Sequence, residues 1–222
     1  MKRLGWAGAM LAAVIFVLSS IPASAQEYYA KFSGFQETGS LPGPTAAESG
    51  AILSTATGTL KLTVDKAGGT ITYSLTYTFP ANTTTGTTAG ATTTAATEVL
   101  QSHIHFGKEH VPGGIMVFLC TTTGITAPAG IQTCAPSNGA PVTVTGIITA
   151  ADVTAKAAAQ GVFAMNFDGV VAALESDTAY ANIHTSAYTS GEIRGQIHRV
   201  RDHHRDPRGN GPNGNNGDHD NH

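Results

Sequence analysis

From Thr59 the chain alternates apolar and polar positions: Leu60, Leu62 and Val64, then Ile71, Tyr73, Leu75, Tyr77 and Phe79. Thr or Ser stands between nearly all of them, and Asp65-Lys-Ala-Gly-Gly69 separates the two runs. A period of two on either side of a Gly-Gly turn predicts a β-hairpin with one face buried and one wet. Further strands are predicted at Tyr28 to Phe35, Val99 to Phe106, Gly114 to Cys120, Val142 to Ile148, Thr178 to His184 and Glu192 to Val200. The period changes in two places. Thr149-Ala-Ala-Asp152 has the form of a capping box and opens an Ala-rich stretch, which predicts a short helix. Phe167, Val170, Val171 and Leu174 fall at i, i+3, i+4 and i+7, which predicts a second. Residues 82–97 form a Thr/Ala/Gly tract with no apolar period, expected to be a long surface loop. Strands dominate and turns link most of them, so the expected fold is all-β. It is an antiparallel Greek-key sandwich or barrel with one or two short helices.

The two ends of the chain read differently from this middle. Lys2 and Arg3 precede an apolar run from Met10 to Leu18, and Ala23-Ser-Ala25 supplies a small-residue cleavage pattern before Gln26. Residues 1–25 are therefore expected to be a signal peptide cut between Ala25 and Gln26. The protein is expected to be secreted or periplasmic, with no membrane association after cleavage. Residues 26–200 form the expected β domain. Beyond Arg201 the composition becomes Asp, His, Arg, Gly and Asn, which predicts a disordered polar tail over 201–222. His203, His204, His219 and His222 lie there, and any metal they bind would be held loosely.

Removal of Lys2 and Arg3 takes the formal charge from −3 to about −5. No basic stripe is present, which argues against nucleic acid as a partner. The partner, if one exists, is an extracellular or periplasmic molecule that the sequence does not identify. Cys120 and Cys134 are the two cysteines. In an exported protein, an isolated pair closing a Gly/Pro/Thr loop is most simply a disulfide.

The strands also sort the candidate chemistry by face. In Ser102-His-Ile-His105, His103 and His105 share one face and Ile104 the other. Tyr180, Asn182 and His184 share a face opposite Ala181 and Ile183. Glu192, Arg194, Gln196 and His198 share one opposite Ile193 and Ile197. If these strands are neighbours, two readings follow. The polar groups can satisfy one another in a hydrogen-bond network that fixes register, with Asn182, Glu192, Arg194 and Gln196 as its members. Alternatively His103, His105 and His184 converge as ligands for copper or zinc, since neutral imidazole suits both, and Asn182, Glu192 or Gln196 orients the rings. His198 fits either picture, and His110 belongs to a solvated loop.

Other chemistries lack their residues. No serine sits in a Gly-x-Ser-x-Gly elbow, and no Gly-rich loop has phosphate-binding spacing. The carboxylates Glu37, Glu48, Glu98, Glu109, Glu175 and Glu192 are scattered, with no pair singled out for hydrolysis. No catalytic residue is assigned.

Six ordered segments together resemble the CHRD domain, a module named after chordin. They are Phe32-Ser-Gly-Phe-Gln-Glu37, Ser102-His-Ile-His-Phe-Gly107, Gly114-Ile-Met-Val-Phe-Leu-Cys120, Ile148-Thr-Ala-Ala-Asp-Val153, Tyr180-Ala-Asn-Ile-His-Thr185 and Gly191-Glu-Ile-Arg-Gly-Gln-Ile197. The resemblance spans about residues 28–200. It departs from the family pattern in the Thr-rich tract and at Glu175-Ser-Asp177, where a glycine is usual. It implies an all-β extracellular module with a non-enzymatic structural or interaction role. The alternative is a copper- or zinc-binding protein, with redox activity open to it. A fainter likeness to copper/zinc superoxide dismutase rests on the His-x-His strand, but the order of motifs differs.

Overall fold

The computed structural model describes residues 25–41, 48–85, 92–95 and 97–201. The expected signal peptide, apart from Ala25, and the expected tail beyond Arg201 lie outside them.

The strands are β1 (Gln26–Phe32), β2 (Thr57–Asp65), β3 (Thr70–Thr78), β4 (Asn82–Thr85), β5 (Thr92–Ala95), β6 (Val99–Phe106), β7 (Gly114–Thr121), β8 (Val142–Ile148), β9 (Ala179–Thr185), β10 (Ile193–Gln196) and β11 (His198–Arg199). One sheet has the order β11-β1-β2-β3-β8, the other β10-β9-β6-β7, and all their pairings are antiparallel. The chain passes between the sheets after β3, β7, β8 and β10. Neither sheet closes on itself, so of the two expected architectures the fold is the sandwich.

The first sheet follows the sequence pattern closely. Tyr28, Ala30 and Phe32 of β1, Leu60, Leu62 and Val64 of β2, and Ile71, Leu75 and Tyr77 of β3 are buried. Their Thr and Ser neighbours line the wet face, where Thr76 and Thr143 share a 2.9 Å hydrogen bond. The polar ends of the core tyrosines find acceptors in the facing layer. Tyr73 donates to the Leu119 carbonyl and Tyr77 to the Ala135 carbonyl, both at 2.6 Å. The second sheet contributes Ile104, Met116, Leu119, Ala181, Ile183 and Ile193 to the same core.

Helix α1 (Phe167–Glu175) begins where the apolar period placed it. Asn166 caps it by accepting from the Gly169 N–H at 2.8 Å, and Phe167, Val170, Val171 and Leu174 face inward. After the helix, Asp177 adopts φ 54° in the left-handed region. Aspartate is one of the few residues besides glycine that visit that conformation, so it can end the helix here. Gly113 has a different reason for being glycine. A Cβ there would sit 1.7 Å from the Phe106 carbonyl oxygen, so only a bare Cα lets this loop close against β6.

Four expectations need correction. The tract 82–97 is not one loop: β4 and β5 pair as an antiparallel ribbon with Asn82 opposite Ala95, in keeping with the β preference of threonine. The Ala-rich stretch after Thr149 forms 3-10 turns (Ala150–Asp152 and Ala158–Gln160) rather than an α-helix, although Asp152 does close back on the Thr149 N–H at 2.8 Å. The first strand stops at Phe32 and turns into a 3-10 segment at Gly34–Gln36. Finally, 192–200 is not one strand. Buried Ile197 is the crossing point from β10 in one sheet to β11 in the other. Strict alternation therefore fails beyond Gln196, and His198 leaves the face it was expected to share with Arg194.

Cys120 on β7 and Cys134 in the following loop form a disulfide across a sequence separation of 14, and both are buried. The bond ties the β7–β8 connection to the core beneath Tyr77. Its removal by Cys120→Ala with Cys134→Ala is expected to cost about 3 kcal/mol. Urea unfolding of the variant against the parent measures this, and equal midpoints would show that the bridge contributes nothing.

Candidate metal centre

The outer face of the second sheet is lined with polar groups and is nevertheless buried. Three segments roof it: 34–39, 107–113 and 185–191. Each is pinned by side chains of the sheet. Arg194, 1% exposed, reaches two of them, donating to Thr38 Oγ1 at 2.6 Å and to the carbonyls of Lys108 and Val111 at 2.9 and 3.1 Å. Gln196 holds the Gly107 and Asp177 carbonyls at 3.2 and 2.9 Å. At the third segment, Glu192 accepts from Ser54 at 2.7 Å and Thr185 at 2.6 Å, and Thr185 Oγ1 takes the Tyr188 N–H. The expected network is thus real, but it is divided into separate anchors. Arg194 and Glu192 do not pair.

Register brings the histidines together beneath this roof. β6 runs antiparallel to β9 with His103 opposite Asn182 and His105 opposite Tyr180. His184 lies two residues beyond Asn182, diagonal to His103 and on the same face. Shifts in the β6–β7 register flank His103 and Ile104, and such irregularities re-aim side chains without breaking the sheet. The ring centroids of His103 lie 5.3 Å from His105 and 4.9 Å from His184. One nitrogen from each of the three lies within 4.8 Å of the others. Atoms so placed are about 3 Å or less from a shared centre, against about 2.0–2.1 Å for a Zn–N bond. A contraction of under about 1 Å closes a mononuclear site.

The hydrogen bonds orient these rings as ligands. His105 Nδ1 lies 2.9 Å from the Gly113 carbonyl and His184 Nδ1 lies 2.9 Å from the Thr189 carbonyl. A carbonyl only accepts, so in the neutral rings Nδ1 carries the proton and Nε2 the lone pair. His184 Nε2 is buried without a partner, as are both nitrogens of His103. His105 Nε2 lies 3.1 Å from Asn182 Oδ1, an arrangement of two acceptors that a cation between them, or a turn of the amide, relieves.

Behind the ligands stands a stack. Tyr180 lies flat on His105, 4.7 Å between centroids with 5° between planes, and the Arg194 guanidinium carbon sits 3.5 Å over the other face of Tyr180. Phe118 packs edge-on to His103 at 4.6 Å, and Lys156 Nζ lies 5.9 Å over the Phe118 ring. Sequence reasoning gave no site role to Tyr180, Phe118 or Lys156, nor to Glu37, which also reaches this face. Tyr180 was on the correct face by parity, and Glu37 closed the Phe32–Glu37 segment of the family resemblance but had no role assigned. Its Oε1 takes the N–H groups of Thr38 and Gly39 at 2.9 and 3.2 Å, and its Oε2 is buried without a partner. His198, which fitted either picture in the sequence, belongs to neither: it lies on exposed β11, 3.4 Å from Asp177, while His110 is exposed as expected.

The fold and this site define an antiparallel β-sandwich module with a buried three-histidine cluster on one face. A family model for the CHRD domain matches residues 28–197, and the chain belongs to the CHRD-domain family. Comparison with curated proteins and with solved structures returns no match.

Burial keeps all three imidazoles neutral. Desolvation is the largest cause in each case, and it takes His103 down to about 2 and His105 to about 4, with His184 also lowered. Mutual repulsion among the three adds to this. The unfolded chain protonates these groups below about pH 6.5 while the folded protein does not, so stability is full above that pH and falls as pH drops toward 4. Three such groups give a slope of up to about 4 kcal/mol per pH unit, which the raised carboxyl of Glu37 opposes. Melting temperatures of the metal-free protein at pH 7, 6 and 5 are expected to fall steadily. A flat profile would mean that the histidines titrate normally in the fold.

Arg194→Ala removes the donor that holds two roofing segments, and is expected to destabilise by about 3–5 kcal/mol in chemical denaturation. A near-neutral result would show that the roof stands without it.

Proposed function

We propose that this CHRD domain is an exported, non-enzymatic structural or interaction module that carries one copper or zinc ion on His103, His105 and His184. One observation carries the reading. His184 Nε2 and both nitrogens of His103 are buried with no hydrogen-bond partner among the described residues, although each such orphan costs about 1–3 kcal/mol. A network that only fixed register would satisfy these atoms, whereas a bound cation gives His184 Nε2 and one nitrogen of His103 the partner they lack. The backbone carbonyls on the Nδ1 sides of His105 and His184 supply the outer contacts that hold a ligand ring in place. Export is supported by the Lys2–Gln26 pattern and by the Cys120–Cys134 disulfide, which fits an oxidising compartment. Among the described residues no helix is long and apolar enough to cross a membrane.

The test uses the full chain without an affinity tag, with His203, His204, His219 and His222 replaced by Asn to remove adventitious binding. One equivalent of Cu or Zn by elemental analysis, with a rise in melting temperature on loading, is expected. His103→Leu should abolish both while leaving the metal-free protein equally stable or more so, because it removes two orphaned polar atoms. A metal-free protein that loses several kcal/mol on His103→Leu, and a parent that takes up no metal, would establish the hydrogen-bond network instead.

A further inference from the structure

We infer that the three-histidine cluster is built for a monovalent soft ion, copper(I), in preference to zinc(II) or copper(II). This rests on the three-histidine site proposed above and adds the identity and oxidation state of its occupant. The argument is one of charge. Three neutral imidazoles bring no negative charge to the ion, and the cluster contains no carboxylate or thiolate. The site is buried: His103, His105 and His184 are 1%, 7% and 8% exposed. The cost of placing an ion in such a medium grows with the square of its charge, so a divalent ion pays about four times what a monovalent one does.

The surroundings add to that penalty. Arg194 lies behind the Tyr180–His105 stack with its charge held only by neutral acceptors, Thr38 Oγ1 and the Lys108 and Val111 carbonyls. Lys156 stands above Phe118, whose ring packs on His103. Of the two buried carboxylates among the described residues, Glu192 is taken up by the hydroxyls of Ser54 and Thr185, and Glu37 lies toward Arg194 and Asn182 with its carboxyl pushed up by burial. Coordination number points the same way. Zinc favours four ligands, usually thiolate, imidazole or carboxylate, and beyond the rings of Phe118 and Tyr180 (its hydroxyl engaged by the Gly113 N–H at 3.1 Å) the cluster has only the neutral amide oxygen of Asn182, 3.1 Å from His105 Nε2, as a neighbouring donor among the described residues. Three-coordinate nitrogen ligation is acceptable to copper(I), and imidazole suits copper.

The experiment is an anaerobic competition on the same tail-substituted full chain. Copper(I) is titrated with bicinchoninate as competing chelator, and zinc(II) and copper(II) are titrated in parallel with chelators of known affinity. One equivalent of copper(I), bound at least about 100-fold more tightly than either divalent ion, is expected. Lys156→Glu exchanges an exposed cation outside the cluster for an anion, and should narrow that ratio by about threefold or more without altering the fold. Zinc(II) or copper(II) binding as tightly as copper(I) would overturn the inference and leave the three-histidine site standing with a divalent occupant. Binding of none of the three would overturn the site itself.

Discussion

Desolvation of the polar face of the second sheet is the constraint on which the rest of this molecule depends. In an ordinary sandwich the outer faces meet water, as the Thr-lined face of the first sheet does here. On β6, β9 and β10 the outer face instead carries His103, His105, Tyr180, Asn182, His184, Arg194 and Gln196, and all are buried. Burying so many polar groups is tolerable only if each finds a partner. The loops of the roof exist in their present form because they supply those partners, chiefly as backbone carbonyls. Arg194 and Glu192 are answered fully or nearly so, and Gln196 through its amide N–H groups though not at Oε1. The imidazole nitrogens at the centre are not.

That imbalance separates the anchors from the site. The anchors hold three connections against the sheet, and this rigidity is what lets the imidazoles sit close without relaxing apart. Rings held by Gly113 and Thr189 carbonyls on one side must present lone pairs on the other. Burial disfavours the protonated, charged form of all three rings and holds their pKa values below the ordinary histidine range, and the same desolvation underlies the proposed preference for an ion of low charge. The proposed structural role and the proposed metal site therefore draw on one arrangement rather than competing for it.

Much of the fold was legible because its signals are local. Alternation from Leu60 to Phe79 marked a hairpin, the spacing of Phe167, Val170, Val171 and Leu174 marked a helix, and the isolated cysteines marked a disulfide. Each depends on residues near in sequence or on composition alone. Errors arose where a distant contact overrode the local pattern. The β10–β11 run looked continuous, yet Ile197 had a core to enter and β1 had a free edge to pair with His198 and Arg199. The Thr-rich tract showed no apolar period because its two strands pair with each other rather than with either sheet of the sandwich.

The candidate site divides in the same way. Parity along single strands determined that His103 pairs with His105 on one face and that Asn182 pairs with His184, since the two-residue period of a strand is a property of the backbone. It also determined that Ile104 and Ile183 look the other way, into the core. Only tertiary structure decided that β6 lies beside β9 in the register that brings the three rings together. Only it decided that the face is roofed, that Glu37 comes to it from the far end of the chain, and that Arg194 serves loop carbonyls rather than Glu192. Register and roofing depend on how distant segments share buried volume and hydrogen bonds, and no local pattern encodes that.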